Sequence, residues 1–111
     1  KYSKKFEVDI RSINPHTKSP FVMFYVYLLK SLEKQEFYIG STNNLRRRFL
    51  EHNKGLVRST KSKAPYKLLY YEAYLAEYDA RRRESSLKLR GQARRQLLER
   101  IRESNNEQRE T

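Results

Sequence analysis

The stretch FYVYLLKSLEKQEFYIGSTNNLRRRFLEH (Phe24–His52) decides the fold, because its pattern changes twice within one short span. It begins with an unbroken run of β-formers, Phe24–Leu29, which predicts a strand that is buried on both faces. A polar segment leads to a second apolar stretch, Glu36–Ile39, which stops at Gly40. Two such stretches joined by a short polar segment predict an antiparallel β-hairpin. The arginine-rich remainder has the spacing of a helix.

The hairpin would bring two tyrosines together. If its turn centres on Leu32 and Glu33, Tyr27 lies directly opposite Tyr38. Side chains that lie opposite each other in an antiparallel pair share one face of the sheet. We therefore expect both phenol groups to emerge at one spot, although two ordinary core tyrosines of a hairpin would give the same pattern.

A helix should follow the hairpin. Residues 41–44 offer several helix N-caps, and Gly55 is a typical helix stop. Between them, four residues follow the i, i+3, i+4, i+7 spacing of one helical face: Leu45, Arg48, Phe49 and His52. Arg48 and His52 therefore share the face that packs on the sheet. A guanidinium there needs a carboxylate or a phosphate nearby, whereas His52 by itself is typical of a cap or packing residue near a helix end.

The remainder of the chain predicts one small α+β domain. The aromatic run Tyr66–Leu75 indicates a third strand, and helices are expected over Glu77–Arg90 and Gln92–Glu103. Together with the hairpin, these elements predict a three-stranded antiparallel sheet flanked by helices. The predicted division is an N-terminal tail or extension, the domain, and a polar C-terminal tail: residues 1–22, 23–103 and 104–111. As an ordered extension, the first segment would form an edge strand through its alternating apolar residues: Phe6, Val8 and Ile10.

Glu84 is the most informative single position in the second half of the chain. It occupies a gap in the apolar line of its helix, four residues after Ala80 and three before Leu87. A carboxylate within an apolar line is expensive unless it is paired or binds a metal. The ordinary interpretation is an internal salt bridge, for which Arg48 is an obvious partner, and the functional interpretation is a metal site.

The predicted domain is strongly basic. The chain has a formal net charge of +12, and residues 23–103 hold 19 Lys and Arg against 9 Asp and Glu. Neutralising phosphates releases counterions, so a domain of this charge is expected to bind a polyanion, above all a nucleic acid. Four residues are expected to contact phosphates without reading bases: Arg46, Arg47, Lys61 and Lys63.

Other partners fit the composition less well. An anionic membrane favours a basic helix with large apolar residues opposite, whereas the arginine-rich segments here interleave with acidic and amide residues. A protein-interaction domain docked on an acidic partner is a more remote class. The chain has no cysteine, which suits a reducing cytoplasm, and its longest apolar run is too short to span a bilayer. With no leader visible at its start, we expect a cytoplasmic protein that binds no membrane.

The chemical groups singled out so far suit phosphodiester hydrolysis. An arginine can clamp the non-bridging oxygens of a phosphate in bidentate fashion. A single carboxylate can hold one divalent metal whose other positions are filled by water and phosphate. A tyrosine near cations can act as a base when its pKa is lowered. Acyl transfer fits poorly, because the sequence offers no evident Ser/His/Asp or Cys/His set.

Two tripeptides resemble the motifs that give the GIY-YIG nuclease family its name. They are Tyr25-Val26-Tyr27 and Tyr38-Ile39-Gly40, of which the second is intact. The family's later residues also have counterparts at the expected spacing, namely an arginine, a histidine and a metal-binding glutamate: Arg48, His52 and Glu84. The resemblance covers residues 23–103 and is closest to small stand-alone bacterial members. One position departs from the pattern, because Tyr25 stands where the family has glycine.

This resemblance implies a metal-dependent DNA endonuclease with a small antiparallel sheet flanked by helices. One divalent ion, Mg²⁺ or Mn²⁺, would bind Glu84, and Arg48 would steady the phosphate. Tyr27 or Tyr38 would activate water, directly or through the other, and His52 would assist. The implied partner is DNA, including branched or damaged DNA in repair or processing.

An alternative stays open beside the nuclease. A nucleic-acid-binding module that retains the fold without catalysis would account for Tyr25 in place of the glycine. Many family members also have a supporting asparagine late in the domain, for which Asn105 and Asn106 are candidates that we leave outside the core site. The choice between DNA and RNA, the identity of the base and the oligomeric state are left open by the sequence.

Overall fold

Within residues 22–107, which the computed structural model describes, the chain forms three β-strands and four α-helices. Their bounds are β1 Phe24–Ser31, β2 Phe37–Thr42, α1 Leu45–Asn53, β3 Tyr66–Tyr74, α2 Glu77–Leu89, α3 Gly91–Arg100 and α4 Arg102–Asn106. The strands form one antiparallel sheet in the order β2-β1-β3, which confirms the predicted α+β fold. The N-terminal extension with its expected edge strand lies outside the described residues. No helix in this part of the chain is long and apolar enough to pass through a bilayer.

The hairpin turns one residue later than expected, so the expected register is wrong by two residues. The backbone N–H of Ser31 donates to the carbonyl of Glu36 at 2.7 Å, and the turn therefore centres on Glu33 and Lys34 instead of on Leu32 and Glu33. Tyr27 consequently lies opposite Gly40, and Tyr38 lies opposite Leu29. A shift of two residues leaves every side chain on its original face. The two phenol rings therefore still share a face, with their centroids 6.3 Å apart.

Each face of the sheet carries its own core. On one face, α2, α3 and the residue that follows α3 complete an apolar cluster: Val26, Leu28, Ile39, Ala80, Leu87, Leu97 and Ile101. On the other face, α1 and the start of β3 complete a more aromatic cluster: Tyr25, Tyr27, Leu29, Leu45 and Tyr66. Strand β1 contributes to both clusters and is buried on both faces, as its unbroken apolar run predicts.

Local signals placed the first helix correctly. The side chain of Asn44 caps α1 by accepting from the backbone N–H of Arg47 at 3.1 Å, and Gly55 follows the helix with a φ of +74°. The left-handed φ is easy for glycine, which has no Cβ to clash with the backbone.

The last predicted helix is divided in two at Ile101, where α3 ends and α4 begins. The predicted boundary of the C-terminal tail at residue 104 therefore falls inside α4. Lys30 holds this short helix against the hairpin end of the sheet, because its ammonium group donates to Oδ1 of Asn105 at 2.8 Å.

Candidate active site

A chain of hydrogen bonds leads from Tyr27 into the core beneath α1. The Tyr27 hydroxyl and Nε2 of His52 are 2.8 Å apart, and Nδ1 of His52 lies 2.8 Å from Oγ1 of Thr60. The Thr60 hydroxyl donates to the carbonyl of Val57 at 3.3 Å. We therefore assign the imidazole proton to Nδ1, which leaves Nε2 free to accept the phenol proton. His52, predicted to face the sheet, is 0% exposed.

Burial sets the protonation state of this pair. It raises the pKa of Tyr27 to about 12; Tyr38 adds to the rise, whereas Arg48 opposes it through a hydrogen bond and its positive charge. Burial, together with the positive charge of Arg48, lowers the pKa of His52 to about 4. At neutral pH the phenol is therefore protonated and the imidazole is neutral. The hydrogen bond offers the phenol proton an acceptor in Nε2 of His52, and the two pKa values keep that proton on the phenol in the resting site.

Gly40 explains why the second motif ends in glycine. A Cβ atom built on Gly40 would lie 2.5 Å from the hydroxyl oxygen of Tyr27 and 2.7 Å from its Cζ. The ring of Tyr27 thus lies directly over the glycine on the neighbouring strand. Any side chain at position 40 would push the phenol away from His52.

The other two motif tyrosines flank this pair. The ring of Tyr38 is tilted against that of His52 with centroids 5.0 Å apart, and Tyr38 is only half-buried. Tyr25, which stands in the glycine position of the first motif, is buried and packs edge-to-face on Tyr71 with centroids 5.9 Å apart. Tyr25 is therefore accommodated as a core residue of the α1 face.

Arg48 lies beside Tyr27, but its salt bridge is local. Its Nη1 pairs with Oε1 of Glu51 at 2.9 Å, one helical turn further along α1. The expected salt bridge between Arg48 and Glu84 is wrong, because the two residues lie on helices that cover opposite faces of the sheet. Arg48 keeps a partly exposed guanidinium next to the phenol.

Glu84 lies where the apolar line of α2 predicted it, between the buried residues Ala80 and Leu87. The Ser41 hydroxyl donates to its Oε1 at 2.6 Å, and Nζ of Lys88 lies 2.9 Å from its Oε2. Burial alone raises the pKa of Glu84, but the bonds from Ser41 and Lys88 outweigh burial and hold it below its ordinary value. The carboxylate is ionised at neutral pH, and its side chain is 19% exposed.

The two halves of the site meet across β2, which is an edge strand of the described sheet. Successive side chains of a strand point to opposite faces. Tyr38 and Gly40 accordingly face α1, whereas Ser41 faces α2 and Glu84. A cavity of about 280 Å³ lies at this end of β2, and both Arg48 and Ser41 line it. Glu84 also contributes to the raised pKa of Tyr27, so the acid and the phenol lie within electrostatic reach.

The side chains around Glu84 suit a metal ion that keeps several of its waters. They do not form a centre in which the protein supplies every ligand. Within residues 22–107 no group of three or more His, Asp and Glu side chains could hold a metal. Glu84 instead offers one ionised carboxylate beside the hydroxyl of Ser41. Mg²⁺ commonly binds through one or two carboxylates and keeps several waters, so the residues present fit such an ion.

The predicted phosphate-contacting residues do not lie together. Arg46 is exposed on α1, and Arg47 lines the cavity beside Arg48. Lys61 and Lys63 belong to a short 3-10 helix, and the carbonyl of Lys63 accepts from the hydroxyl of Ser31 at the opposite end of the sheet. Asn105 also lies at that opposite end, which agrees with its exclusion from the core site. Asn106 follows it on α4.

Sequence reasoning missed three residues that contact the site. Lys88 could have been found, because residues four apart on a helix are neighbours and oppositely charged pairs at this spacing are common. The sequence placed Ser41 only among the candidate N-caps of the first helix, and it did not single out Thr60. A buried histidine needs partners for both ring nitrogens, which is the one signal that pointed towards a residue such as Thr60.

Comparisons with known proteins agree with this geometry. Residues 23–107 match the family model of the GIY-YIG catalytic domain. A UPF0213 protein of Clostridium perfringens is 39% identical over 67 residues, which cover 60% of this chain and 71% of that protein. A UPF0213 protein of Pediococcus pentosaceus is 37% identical over 68 residues, covering 60% and 70% of the two chains. A third, from Streptococcus pneumoniae, is 34% identical over 65 residues, covering 58% and 65%.

Proposed function

This chain belongs to the GIY-YIG catalytic domain family, and from that premise we propose that it is a metal-dependent endonuclease that hydrolyses phosphodiester bonds in DNA. The observation that carries the proposal is the hydrogen bond between Tyr27 and the buried His52, with Arg48 beside the phenol. A buried phenol that donates to a neutral imidazole is arranged for proton transfer. The DNA would include branched or damaged forms met in repair or processing.

Tyr27 is the proposed base, acting together with His52. The phenol oxygen accepts a proton from the attacking water while its own proton moves to Nε2 of His52. The hydroxide oxygen then bonds to phosphorus, the bond from phosphorus to the leaving sugar oxygen breaks, and that oxygen takes up a proton from solvent, to which His52 later returns its own. A free phenolate is never required, so a pKa of about 12 for Tyr27 is compatible with the reaction. The negative charge of a bound phosphate favours the imidazolium and so raises the pKa of His52.

The remaining site residues stabilise charge and position the substrate. Arg48 donates to the non-bridging oxygens of the phosphate, exchanging its partly exposed pair with Glu51 for the substrate. Tyr38, the less buried phenol, donates to the attacking water or to the phosphate. Glu84 and Ser41 would hold one Mg²⁺ or Mn²⁺, and such an ion supplies positive charge to the reacting phosphate when bound. Lys88 fixes the orientation of the Glu84 carboxylate.

The direct test is cleavage of plasmid and branched DNA with and without added Mg²⁺ or Mn²⁺. We expect metal-dependent nicking or cutting by the wild type, and strong loss in Glu84→Ala and Arg48→Ala. Arg95→Ala is the control for the loss of one positive charge, because Arg95 is exposed on α3 and does not line the cavity. Activity that survives both site variants would place the reaction elsewhere or identify a contaminant.

A non-catalytic DNA-binding module is the second candidate. The observations that favour it are the 2% exposure of Tyr27 and the ion pair that Lys88 already forms with Glu84. Under this alternative the fold binds DNA tightly and in a salt-sensitive manner, and no substrate is cut at any metal concentration. The same cleavage assay, combined with a binding assay, therefore separates the two candidates.

A further inference from the structure

We propose that the cavity between α1 and α2 binds a second backbone phosphate, next to the one that is cut, through Arg47 and Arg81. The inference rests on the proposed function, because it takes the scissile phosphate to lie on Arg48. It assigns a binding role to Arg81, which the sequence analysis did not single out. It also defines the substrate as a polynucleotide with successive phosphates, not a single isolated diester.

The cavity is lined by more positive than negative charge. Three guanidinium groups line its walls, from Arg47 and Arg48 on α1 and from Arg81 on the facing turn of α2, together with the carboxylate of Glu77. Its remaining walls include hydroxyl side chains at the end of β2 and the amide side chain that follows, namely Ser41, Thr42 and Asn43. The guanidinium groups and the Asn43 amide can donate hydrogen bonds to an anion from several directions.

The ion pairs of the two outer arginines are of the kind that a phosphate can replace. Arg47 lies 3.5 Å from Glu51 and Arg81 lies 3.0 Å from Glu77. Their side chains are 56% and 69% exposed. Solvent-exposed pairs of this kind contribute little to stability, so exchanging a carboxylate for a phosphate costs the fold almost nothing.

The position of Arg81 matches the path of a strand through the site. It precedes Glu84 by three residues on α2, about 4.5 Å along the helix axis, on the same side of the helix. The cavity begins at Arg48 and Ser41, which belong to the site, and continues to Arg81 at its outer wall. A strand held by Arg48 therefore brings its neighbouring phosphate to Arg81.

Arg82 is a matched control that the chain itself supplies. It follows Arg81 on the same helix, its side chain is 65% exposed, and it pairs with Asp79 at 3.0 Å much as Arg81 pairs with Glu77. It differs in that it does not line this cavity, and its guanidinium also lies over the ring of Tyr78, 5.1 Å from the centroid. Any effect that depends only on surface charge should be equal for the two arginines.

The experiment measures binding of a fluorescently labelled DNA duplex by anisotropy over a range of salt concentrations, with EDTA and no divalent metal. Arg81→Ala should bind on the order of fivefold more weakly at low salt, and its slope of log affinity against log salt should be shallower by about 0.9, the value for one lost phosphate contact. Arg82→Ala should keep the wild-type slope. Arg81→Lys should keep most of the slope, since it retains the charge.

Equal slopes for Arg81→Ala and Arg82→Ala, whether both reduced or both unchanged, would overturn the inference. The assay needs no metal and no cleavage, so its outcome is separate from that of the proposed function. A wild type that shows the Arg81-dependent slope but never cuts DNA would overturn the nuclease proposal alone. A wild type that cuts DNA while the two variants bind alike would overturn the phosphate subsite alone.

Discussion

The two faces of the sheet share β1 but are packed in opposite ways. On the α2 face the buried cluster is entirely apolar. On the α1 face, polar residues such as His52 and Thr60 are fully buried among the tyrosines. Buried polar groups cost free energy unless they are hydrogen-bonded, and no buried side-chain nitrogen or oxygen within residues 22–107 lacks a partner. We infer from this comparison that the α2 face supplies the apolar core and carries Glu84 at its edge, whereas the α1 face uses part of its core to hold the hydrogen-bonded pair of Tyr27 and His52, for which we propose proton transfer.

The largest expected effect is a difference in cleavage rate between substitutions of two tyrosines that lie on opposite faces of the sheet. Tyr27→Phe should slow DNA cleavage by about 10³-fold, since it removes the proposed base. Tyr70→Phe is the matched control, because Tyr70 also donates its hydroxyl to a side chain, Glu72, but on the α2 face. Single-turnover cleavage rates measure both. Equal losses of cleavage rate in the two variants would show that the Tyr27 hydroxyl has no particular role in the reaction.

A substitution in the core of the α2 face should lower the stability of the protein and leave the cleavage rate unchanged. Leu87→Ala removes a buried side chain from the α2 core and should lower the free energy of unfolding by about 3 kcal/mol. The cleavage rate per folded molecule should not change. Leu89→Ala, two residues further along and exposed, should cost less than about 0.5 kcal/mol in the same urea titration. If Leu87→Ala abolished cleavage while leaving the fold stable, the assignment of the apolar cluster around Leu87 to stability alone would be wrong.

Stability should also depend on pH through His52. Its folded-state pKa of about 4 lies below the ordinary value of 6.5, so the unfolded chain binds more protons between these values. The free energy of unfolding should therefore fall as the pH is lowered from 6.5 to 4.5, by about 2 kcal/mol. The carboxyls of Glu72 and Glu84 start from an ordinary value of 4.5 and are shifted down, so their contribution is lost only at lower pH. In His52→Gln, the free energy of unfolding should vary less with pH by this amount. A pH dependence equal to that of the wild type would contradict a buried neutral imidazole at position 52.

The smallest effect concerns the far end of the hydrogen-bond chain. Thr60→Val keeps the shape of the side chain but leaves Nδ1 of His52 without its partner, which should cost about 1 to 2 kcal/mol of stability. Thr60→Ser should restore most of this loss, because it keeps the hydroxyl. Thermal unfolding of the two variants compares them directly. A Thr60→Val protein as stable as Thr60→Ser would mean that the bond to His52 contributes nothing.

The sequence predicted what depends on local pattern. Asn44 and Gly55 bounded α1, and helical spacing put His52 on the packing face and Glu84 in the apolar line of α2. The face shared by Tyr27 and Tyr38 was predicted correctly even though the register was wrong, because an error of two residues preserves the side-chain alternation.

What the sequence could not provide depends on contacts between distant segments. The pairing of Ser41 with Glu84 requires knowing that α2 covers the face opposite α1, and the same fact rules out the expected Arg48–Glu84 bridge. The bond between Thr60 and His52 depends on how the loop after α1 folds back on the sheet. The runs of basic residues in the sequence did not indicate that Lys63 lies at the far end of the sheet from Arg47.

The central claim is that the α1 face and the α2 face contribute to one reaction, and a kinetic double-mutant cycle tests it most directly. Single-turnover cleavage would be measured for Tyr27→Phe, Glu84→Gln and the double variant in saturating Mn²⁺. If both residues act on the same phosphodiester, each single variant should lose about 10³-fold, and the double variant should be little slower than the slower single. A double variant slowed by the product of the two single losses, or a Glu84→Gln protein that cuts DNA at the wild-type rate, would contradict the account.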